Sequence, residues 1–209
     1  MTALPRFAAL SSLPAGYILA GRLAIESRRT FILLNLASLL PLAGGALLFY
    51  GVDRALQTLG VSPAVTVPLD NPLLVALAIL VLTPIELSVH ELCHGLAFQA
   101  FGAHPKYGIN LNKGVAYASA TESYFTRDAY LIVALAPLLV ISVLSVAGMA
   151  LTEGGLRLVA ALMGTINAGS AVGDLWFTLV CLRSPRDLLV RDFGDGAELY
   201  RRHPDETAR

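Results

Sequence analysis

The stretch PLLVALAILVLTPIELSVHELCHGLAFQA, residues 72–100, joins a long apolar run to a short cluster of ionisable side chains. It is longer than the roughly 20 residues that an α-helix needs to cross the hydrocarbon core of a bilayer. Pro72 suits the first turn of a helix, where the backbone N–H that proline lacks would have no partner. The stretch therefore predicts a membrane-spanning helix that carries His90, Glu91 and His94 inside the membrane.

The rest of the composition agrees with a membrane protein. The chain is 56% hydrophobic and 14% charged, whereas soluble domains are nearer half apolar and a quarter charged. Three further long apolar runs predict spans at about residues 31–50, 130–150 and 156–182. The predicted fold class is an all-α membrane protein with about four transmembrane helices. Residues 1–183 would form a single transmembrane domain, and residues 184–209 a polar C-terminal tail.

Two shorter segments predict structure outside the spans. Residues 13–25 are apolar but too short to cross the bilayer, which predicts an interfacial helix. Between spans two and three, apolar residues alternate with others on both sides of a glycine-containing turn at residues 112–114. Alternation of this kind around a turn is typical of a β-hairpin, here over residues 106–119.

Basic residues predict the orientation of the spans. Lys and Arg occur in residues 1–30, in the loop 101–129 and after residue 182, whereas the opposite side carries only Arg54 and Arg157. Cytoplasmic loops of membrane proteins carry the excess of positive charge. Both termini and the hairpin are therefore predicted to be cytoplasmic, in a multi-pass protein of the cell membrane. The net charge is zero, so no basic surface for nucleic acid is indicated.

The stretch His90-Glu91-Leu92-Cys93-His94 is an H-E-x-x-H motif. Residues four apart share a helix face, so both imidazoles can bind one metal ion. Glu91 lies beside the pair and can act as general base toward water at the metal. Ionisable residues inside a span are costly and usually functional. The motif therefore predicts a Zn²⁺ site held by His90 and His94, with Glu91 as the catalytic residue.

A zinc peptidase site needs a third protein ligand and one open position. Asp174 is the only acid in predicted span four, and it lies as far beyond Leu156 as His90 lies beyond the start of span two. Spans two and four run in the same direction, so equal residue counts place the two side chains at the same depth. Asp174 is the predicted third ligand. Glu86, one helical turn before His90 on the same face, is the alternative.

Other polar and aromatic residues near this cluster are candidates for substrate binding. Asn167 and Ser170 precede Asp174 at helical spacing, so they either contact a substrate backbone or hydrogen-bond between helices. The hairpin can hold an unwound substrate segment as an added strand. Its predicted substrate contacts are Tyr107, Ile109 and Tyr117.

The motif in a span, followed by an aspartate in a later span, is similar to the site-2 protease class of intramembrane metalloproteases. That class typically places its aspartate between Asn-Pro and Gly, whereas this chain has Gly173-Asp174-Leu175. Over nearly its whole length the chain also resembles the "putative zincin peptidase" family of small prokaryotic membrane proteins. The stretches that carry this resemblance are 90–95, 101–108, Leu135-Ala136-Pro137, Gly173-Asp174 and 188–192.

These observations predict a zinc-dependent peptidase that cleaves membrane-spanning or membrane-adjacent peptides near the cytoplasmic side. Its partners would be the lipid bilayer and a membrane peptide. The alternative is a non-catalytic metal-binding membrane protein or a metal transporter. A transporter needs polar groups along a path across the bilayer, whereas the sequence offers one cluster at one depth. A purely binding site has no need of a base such as Glu91.

Overall fold

The computed structural model describes most of the chain, namely residues 5–25, 27–65, 71–110, 115–194 and 196–203. The predicted turn at residues 112–114 lies outside these ranges.

The chain divides into two compact units, each built from segments that are separated in the sequence. We call the first the sheet unit and the second the helical unit. The sheet unit comprises Met1–Phe31, Glu91–Ala136 and Asp174–Arg209, and the helical unit comprises Ile32–His90 and Pro137–Gly173. The predicted boundary between a membrane domain and a C-terminal tail falls inside the last segment of the sheet unit.

Helices account for the apolar runs of the sequence. In the part of the chain that the structure describes, they are α1 (Arg28–Ala37), α2 (Leu39–Thr58), α3 (Pro72–Ala100), α4 (Arg127–Leu151), α5 (Gly154–Ser170) and α6 (Val172–Leu182). Three stretches are long and apolar enough to cross a membrane, namely α1 with α2, α3 alone and α4 alone. The pair α5 and α6 makes a fourth if it counts as one span. A helical protein with three to four candidate spans agrees with the prediction of about four.

The boundaries of α3 match residues 72–100 at both ends. Its start follows from local chemistry, because the Asn71 Oδ1 atom accepts a hydrogen bond from the Leu73 N–H at 2.9 Å. That bond satisfies one of the backbone donors that every helix leaves unpaired at its N-terminus. Pro72 then occupies a position where no N–H is needed.

The single helix predicted over residues 156–182 is instead two helices, bent by 50° where α5 meets α6. The backbone N–H of Ala171 and the Oγ of Ser170 both donate to the carbonyl of Asn167, each at 3.0 Å. A serine hydroxyl that bonds back to the preceding turn competes with the helical ladder and bends helices. The break turns the face of α6 away from the direction that a continuous helix would give it.

The prediction of an all-α class with one hairpin is wrong in one respect, because the sheet unit also contains a five-stranded antiparallel sheet. Its order is β1-β5-β6-β7-β2. The strands are β1 (Ala9–Leu10), β2 (Tyr17–Ala24), β5 (Tyr124–Thr126), β6 (Leu189–Asp192) and β7 (Gly196–Arg202). The predicted hairpin is present as β3 (Lys106–Asn110) paired with β4 (Val115–Ser119).

Two sequence predictions change because of this sheet. The segment 13–25 is not an interfacial helix, since it contains strand β2, whose Tyr17 lies opposite Arg202 of β7. The segment predicted as a polar tail supplies both β6 and β7. Its residues Leu188, Leu189 and Val190 are fully buried, so it belongs to the folded core of the sheet unit.

The core of the sheet unit holds the C-terminal part of α3 and the N-terminal part of α4. Phe98 of α3 and Phe125 of β5 are almost fully buried, and their ring centroids lie 5.0 Å apart. The Tyr130 hydroxyl donates to the Asp192 Oδ2 atom at 2.7 Å, and the Gly194 N–H donates to Oδ1 at 2.8 Å. Burial raises the pKa of the Asp192 carboxyl to about 6, while these two hydrogen bonds lower it.

Within the helical unit, α2 and α5 pack closely because small residues lie at their contact. A Cβ atom added to Gly164 would overlap the Phe49 ring, and one added to Gly45 would lie 2.8 Å from the Ala168 Cβ. Small residues at helix contacts let backbones approach in membrane proteins. Asn167 of α5 is fully buried as well.

Candidate metal centre

His90 and His94 lie one turn apart on α3, and Asp174 lies in the first turn of α6. Each of the three offers one ligand atom, and these atoms all lie within 4.8 Å of one another. His90 is buried, and the other two are partly buried. The structure therefore brings together the three residues that the sequence predicts as metal ligands.

The closest pair in this cluster has the spacing of two ligands on one tetrahedral ion. The His94 Nε2 atom lies 3.3 Å from the Asp174 Oδ1 atom. Two atoms that each bind zinc at about 2.0 Å, at the tetrahedral angle, lie about 3.3 Å apart. The two side chains could bind the same ion with little movement.

A backbone carbonyl orients the His94 ring. The His94 Nδ1 atom lies 3.0 Å from the Val133 carbonyl oxygen. A carbonyl oxygen only accepts hydrogen bonds, so the Nδ1 atom carries the proton. In the neutral ring the lone pair then lies on Nε2, the atom that faces Asp174. This is the tautomer that a metal ligand needs.

A buried amide orients the His90 ring in the same way. The His90 Nδ1 atom lies 3.0 Å from the Asn167 Oδ1 atom. The Asn167 Nδ2 atom donates to the Pro137 carbonyl at 3.4 Å, which identifies Oδ1 as the atom that faces the ring. The His90 Nδ1 atom is therefore the donor, and Nε2 is the basic nitrogen.

Two neutral imidazoles and one carboxylate are a donor set that binds zinc in catalytic sites. Zinc-binding histidines usually donate their second ring N–H to a carbonyl or a carboxylate, which fixes the ring. Here a backbone carbonyl and an amide oxygen serve that purpose for His94 and His90. The residues present fit a Zn²⁺ ion held by His90, His94 and Asp174.

Glu91 connects this part of α3 to the hairpin. Its Oε2 atom accepts a hydrogen bond from the backbone N–H of Ala118 in β4, at 2.7 Å. The Ala118 N–H therefore points toward α3 rather than toward β3. The bond holds one carboxylate oxygen of the residue that the sequence predicts as general base.

Glu86 stands apart from the cluster, although it is also buried on α3. Only 7% of its surface is exposed. Both of its carboxylate oxygens lack a hydrogen-bond partner among the residues that the structure describes. The group of potential ligands includes Asp174 and does not include Glu86. The geometry thus favours Asp174 over the alternative third ligand.

The two polar residues of α5 both make hydrogen bonds within the protein. Asn167 is fully buried, and its two amide atoms bond to His90 and Pro137. The Ser170 hydroxyl donates to the carbonyl of Asn167 within its own helix. The straight helix predicted through Asn167, Ser170 and Asp174 is interrupted after Ser170 by a bend of 50°. Asn167 orients the ring of His90, a candidate metal ligand.

The three hairpin residues predicted to contact substrate lie on two different faces. Side chains opposite each other in the ladder share a face, and Tyr107 pairs with Ala118, whereas Tyr117 pairs with Gly108. Tyr107 and Ile109 are 50% and 69% exposed. The hydroxyl of Tyr107 lies against α3, in the space that a Cβ atom of Gly95 would occupy. One substrate segment could contact Tyr107 and Ile109 together, but not Tyr117 on the same face.

Sequence reasoning missed three backbone contributions to this site. The carbonyls of Val133 and Pro137 and the N–H of Ala118 orient the histidines and Glu91. The one available signal was Pro137, a proline in the middle of an apolar run. Backbone groups carry no side-chain signature, so the others could not be read from the sequence.

Two histidines from one helix turn, with an adjacent glutamate and a carboxylate from another helix, define a zincin-type metal centre. A family model described as "Putative zincin peptidase" matches residues 72–189, more than half of the chain, from the first residue of α3 into β6. The chain belongs to this family, whose name indicates a zincin-like metallopeptidase. No curated protein and no solved structure gives a significant match.

Proposed function

We propose that the protein is a zinc-dependent peptidase of the site-2 protease type, which cleaves membrane-spanning or membrane-adjacent peptides. The observation that carries this proposal is the position of Glu91. Glu91 directly follows His90 in the motif, and its carboxylate accepts the Ala118 N–H from an edge of the hairpin. A base and a surface for extended peptide therefore meet at one point.

In this proposal the protein's own residues contribute acid–base catalysis, and Glu91 is the residue that transfers protons. Glu91 takes a proton from the attacking water and delivers it to the leaving amine, as general bases in hydrolases do. The Ala118 N–H holds the carboxylate in place during both transfers. A zinc ion in this site supplies Lewis-acid activation of water near neutral pH. His90, His94 and Asp174 would hold that ion.

The hairpin supplies a way to present an unwound substrate. Strands β3 and β4 form a two-stranded sheet, so β4 has a second edge that β3 does not use. In an antiparallel strand every second residue directs its N–H and C=O groups to the same edge. The backbone groups of Ala116 therefore point to the same edge of β4 as those of Ala118. An extended peptide can add to such an edge by main-chain hydrogen bonds that need no particular sequence. A strand added there would lie beside Glu91.

The proposal places cleavage near the cytoplasmic side of the cell membrane, with both termini cytoplasmic. The support is the excess of Lys and Arg in the N-terminal segment, the hairpin loop and the C-terminal segment. We expect reporter fusions at Arg209 and near Lys113 to report the cytoplasm, and fusions near Val61 to report the outside. Opposite labelling at any of these points would contradict the four-span arrangement.

The peptidase proposal is tested with purified protein in liposomes and a synthetic single-span peptide, with products mapped by mass spectrometry. We expect zinc-dependent cuts in the cytoplasmic half of the peptide. A matched peptide with a central Gly-Pro pair should be cut faster than an all-Leu/Ala helix, because its backbone unwinds more easily. Zinc-loaded protein that binds both peptides and cuts neither would point to a non-catalytic metal-binding protein.

A further inference from the structure

Pro137 interrupts the hydrogen-bond ladder of α4 at a fully buried position. In an α-helix the N–H of residue 137 would donate to the carbonyl of residue 133. Proline has no N–H, so the carbonyl of Val133 lacks its usual helical donor. Val133 is itself 1% exposed, and solvent therefore has little access to supply a replacement.

The donor that the Val133 carbonyl receives is the Nδ1 atom of His94, at 3.0 Å. Buried backbone carbonyls in folded proteins are almost always hydrogen-bonded. The missing N–H at residue 137 thus leaves an acceptor that favours one ring orientation and one tautomer of His94. The proline acts on this candidate metal ligand through the Val133 carbonyl.

The carbonyl of Pro137 acts on the other histidine through Asn167. It accepts a hydrogen bond from the Asn167 Nδ2 atom at 3.4 Å. That contact fixes which end of the amide faces His90, so Oδ1 accepts from the His90 Nδ1 atom at 3.0 Å. Asn167 is fully buried, and its amide has no access to bulk water as an alternative partner.

We infer that Pro137 is a positioning residue for the metal centre, which sets both ligand histidines with Nδ1 protonated and Nε2 directed to the metal. The N–H that Pro137 lacks leaves the Val133 carbonyl free to accept from His94. The backbone carbonyl of Pro137 orients the amide of Asn167, which in turn orients His90. This inference rests on the metal centre of the proposed function. Pro137 is fully buried and lies outside the group of potential metal ligands.

The other proline inside a described helix offers a matched control. Pro84 of α3 also removes an N–H from its helix, but it is solvent- or lipid-exposed rather than buried. Its carbonyl accepts from the hydroxyl of Ser88, at 2.8 Å, within the same helix. Its neighbours in the ladder hold no metal ligand, so its replacement should leave the metal centre unaffected.

The test compares zinc dissociation constants of the wild-type protein, Pro137→Ala and Pro84→Ala in detergent. Alanine at 137 supplies an N–H that competes with His94 for the Val133 carbonyl. We expect zinc affinity to fall about 10- to 100-fold, the usual effect of removing support from a metal ligand. Pro84→Ala should bind zinc like the wild type. Equal affinity in all three proteins would overturn the inference, whereas a wild-type protein without zinc would overturn the proposed function.

Two further measurements keep the inference testable if Pro137→Ala folds poorly. The ¹⁵N spectra of zinc-loaded, histidine-labelled wild-type protein should show both ligand rings bound through Nε2 and protonated at Nδ1. Asn167→Ala should lower zinc affinity about 10-fold or more, whereas Asn167→Asp, which retains an acceptor for His90, should lower it less. A ligand ring bound through Nδ1, or unchanged affinity in Asn167→Ala, would contradict the inference.

Discussion

Replacing Glu91 with glutamine is expected to abolish peptide cleavage while the protein keeps its zinc. The amide oxygen of glutamine can still accept the Ala118 N–H that Glu91 now accepts at 2.7 Å. The amide cannot take a proton from water, however, and general base catalysis contributes roughly 10²- to 10⁴-fold to such reactions. The measurement is the initial rate of cleavage of a membrane peptide, with zinc content determined on the same sample.

Glu86→Gln is the matched control for this variant, since it makes the same chemical change one turn before His90 on α3. Glu86 lies outside the ligand group, so its replacement should change the cleavage rate far less. Native cleavage by Glu91→Gln would show that Glu91 is not the base. Loss of zinc from Glu91→Gln would make Glu91 a ligand instead.

The second large effect is expected at the third ligand. Asp174→Ala should lose both zinc and cleavage, whereas Glu86→Ala should keep most of its zinc. The Asp174 Oδ1 atom lies 3.3 Å from the His94 Nε2 atom, a separation suited to shared coordination. A carboxylate also offsets part of the ion's charge where the surroundings are poorly polarisable. The zinc content per chain of both variants, measured side by side, shows whether Asp174 or Glu86 is the third ligand.

Asp174→Asn refines this comparison because it retains the shape of the side chain and removes its charge. We expect zinc affinity between that of the wild type and that of Asp174→Ala. Zinc loss in Glu86→Ala with retention in Asp174→Ala would give the third position to Glu86. It would also require a different position for α6 in the metal-bound protein.

The features that could be predicted from the sequence are those that depend on neighbours along the chain. Residues 72–100 form α3 as predicted, because an apolar run and an N-terminal cap are local signals. The hairpin of β3 and β4 is also local, since its two strands are close neighbours in the sequence. The spacing of His90 and His94 places them on one helix face for the same reason.

The five-stranded sheet could not be predicted because its pairs join distant parts of the chain. Tyr17 lies opposite Arg202, and Ala9 lies opposite Phe125. Strands such as β1 are also too short to show an alternating pattern. Strand formation depends on packing against partners more than on intrinsic preference, and one sequence does not reveal those partners.

The sequence predicts the candidate metal ligands, but it does not predict the groups that hydrogen-bond to them. The prediction of Asp174 as third ligand depends on residue counts along one straight helix over residues 156–182. The chain instead bends between α5 and α6. Asp174 still joins the ligand group. The sequence left Asn167 open between substrate contact and hydrogen bonding between helices, because the partners of a buried amide depend on the packing around it, here the His90 ring and the carbonyl of Pro137.

The central claim is that His90 and His94 hold a zinc ion, and metal analysis of the purified protein tests it most directly. The wild-type protein should contain about one zinc ion per chain, and the His90→Ala/His94→Ala double variant should contain almost none, because two of three protein ligands are removed. A double variant that retains its full zinc content, or a wild-type protein that binds none, would contradict the assignment of this site.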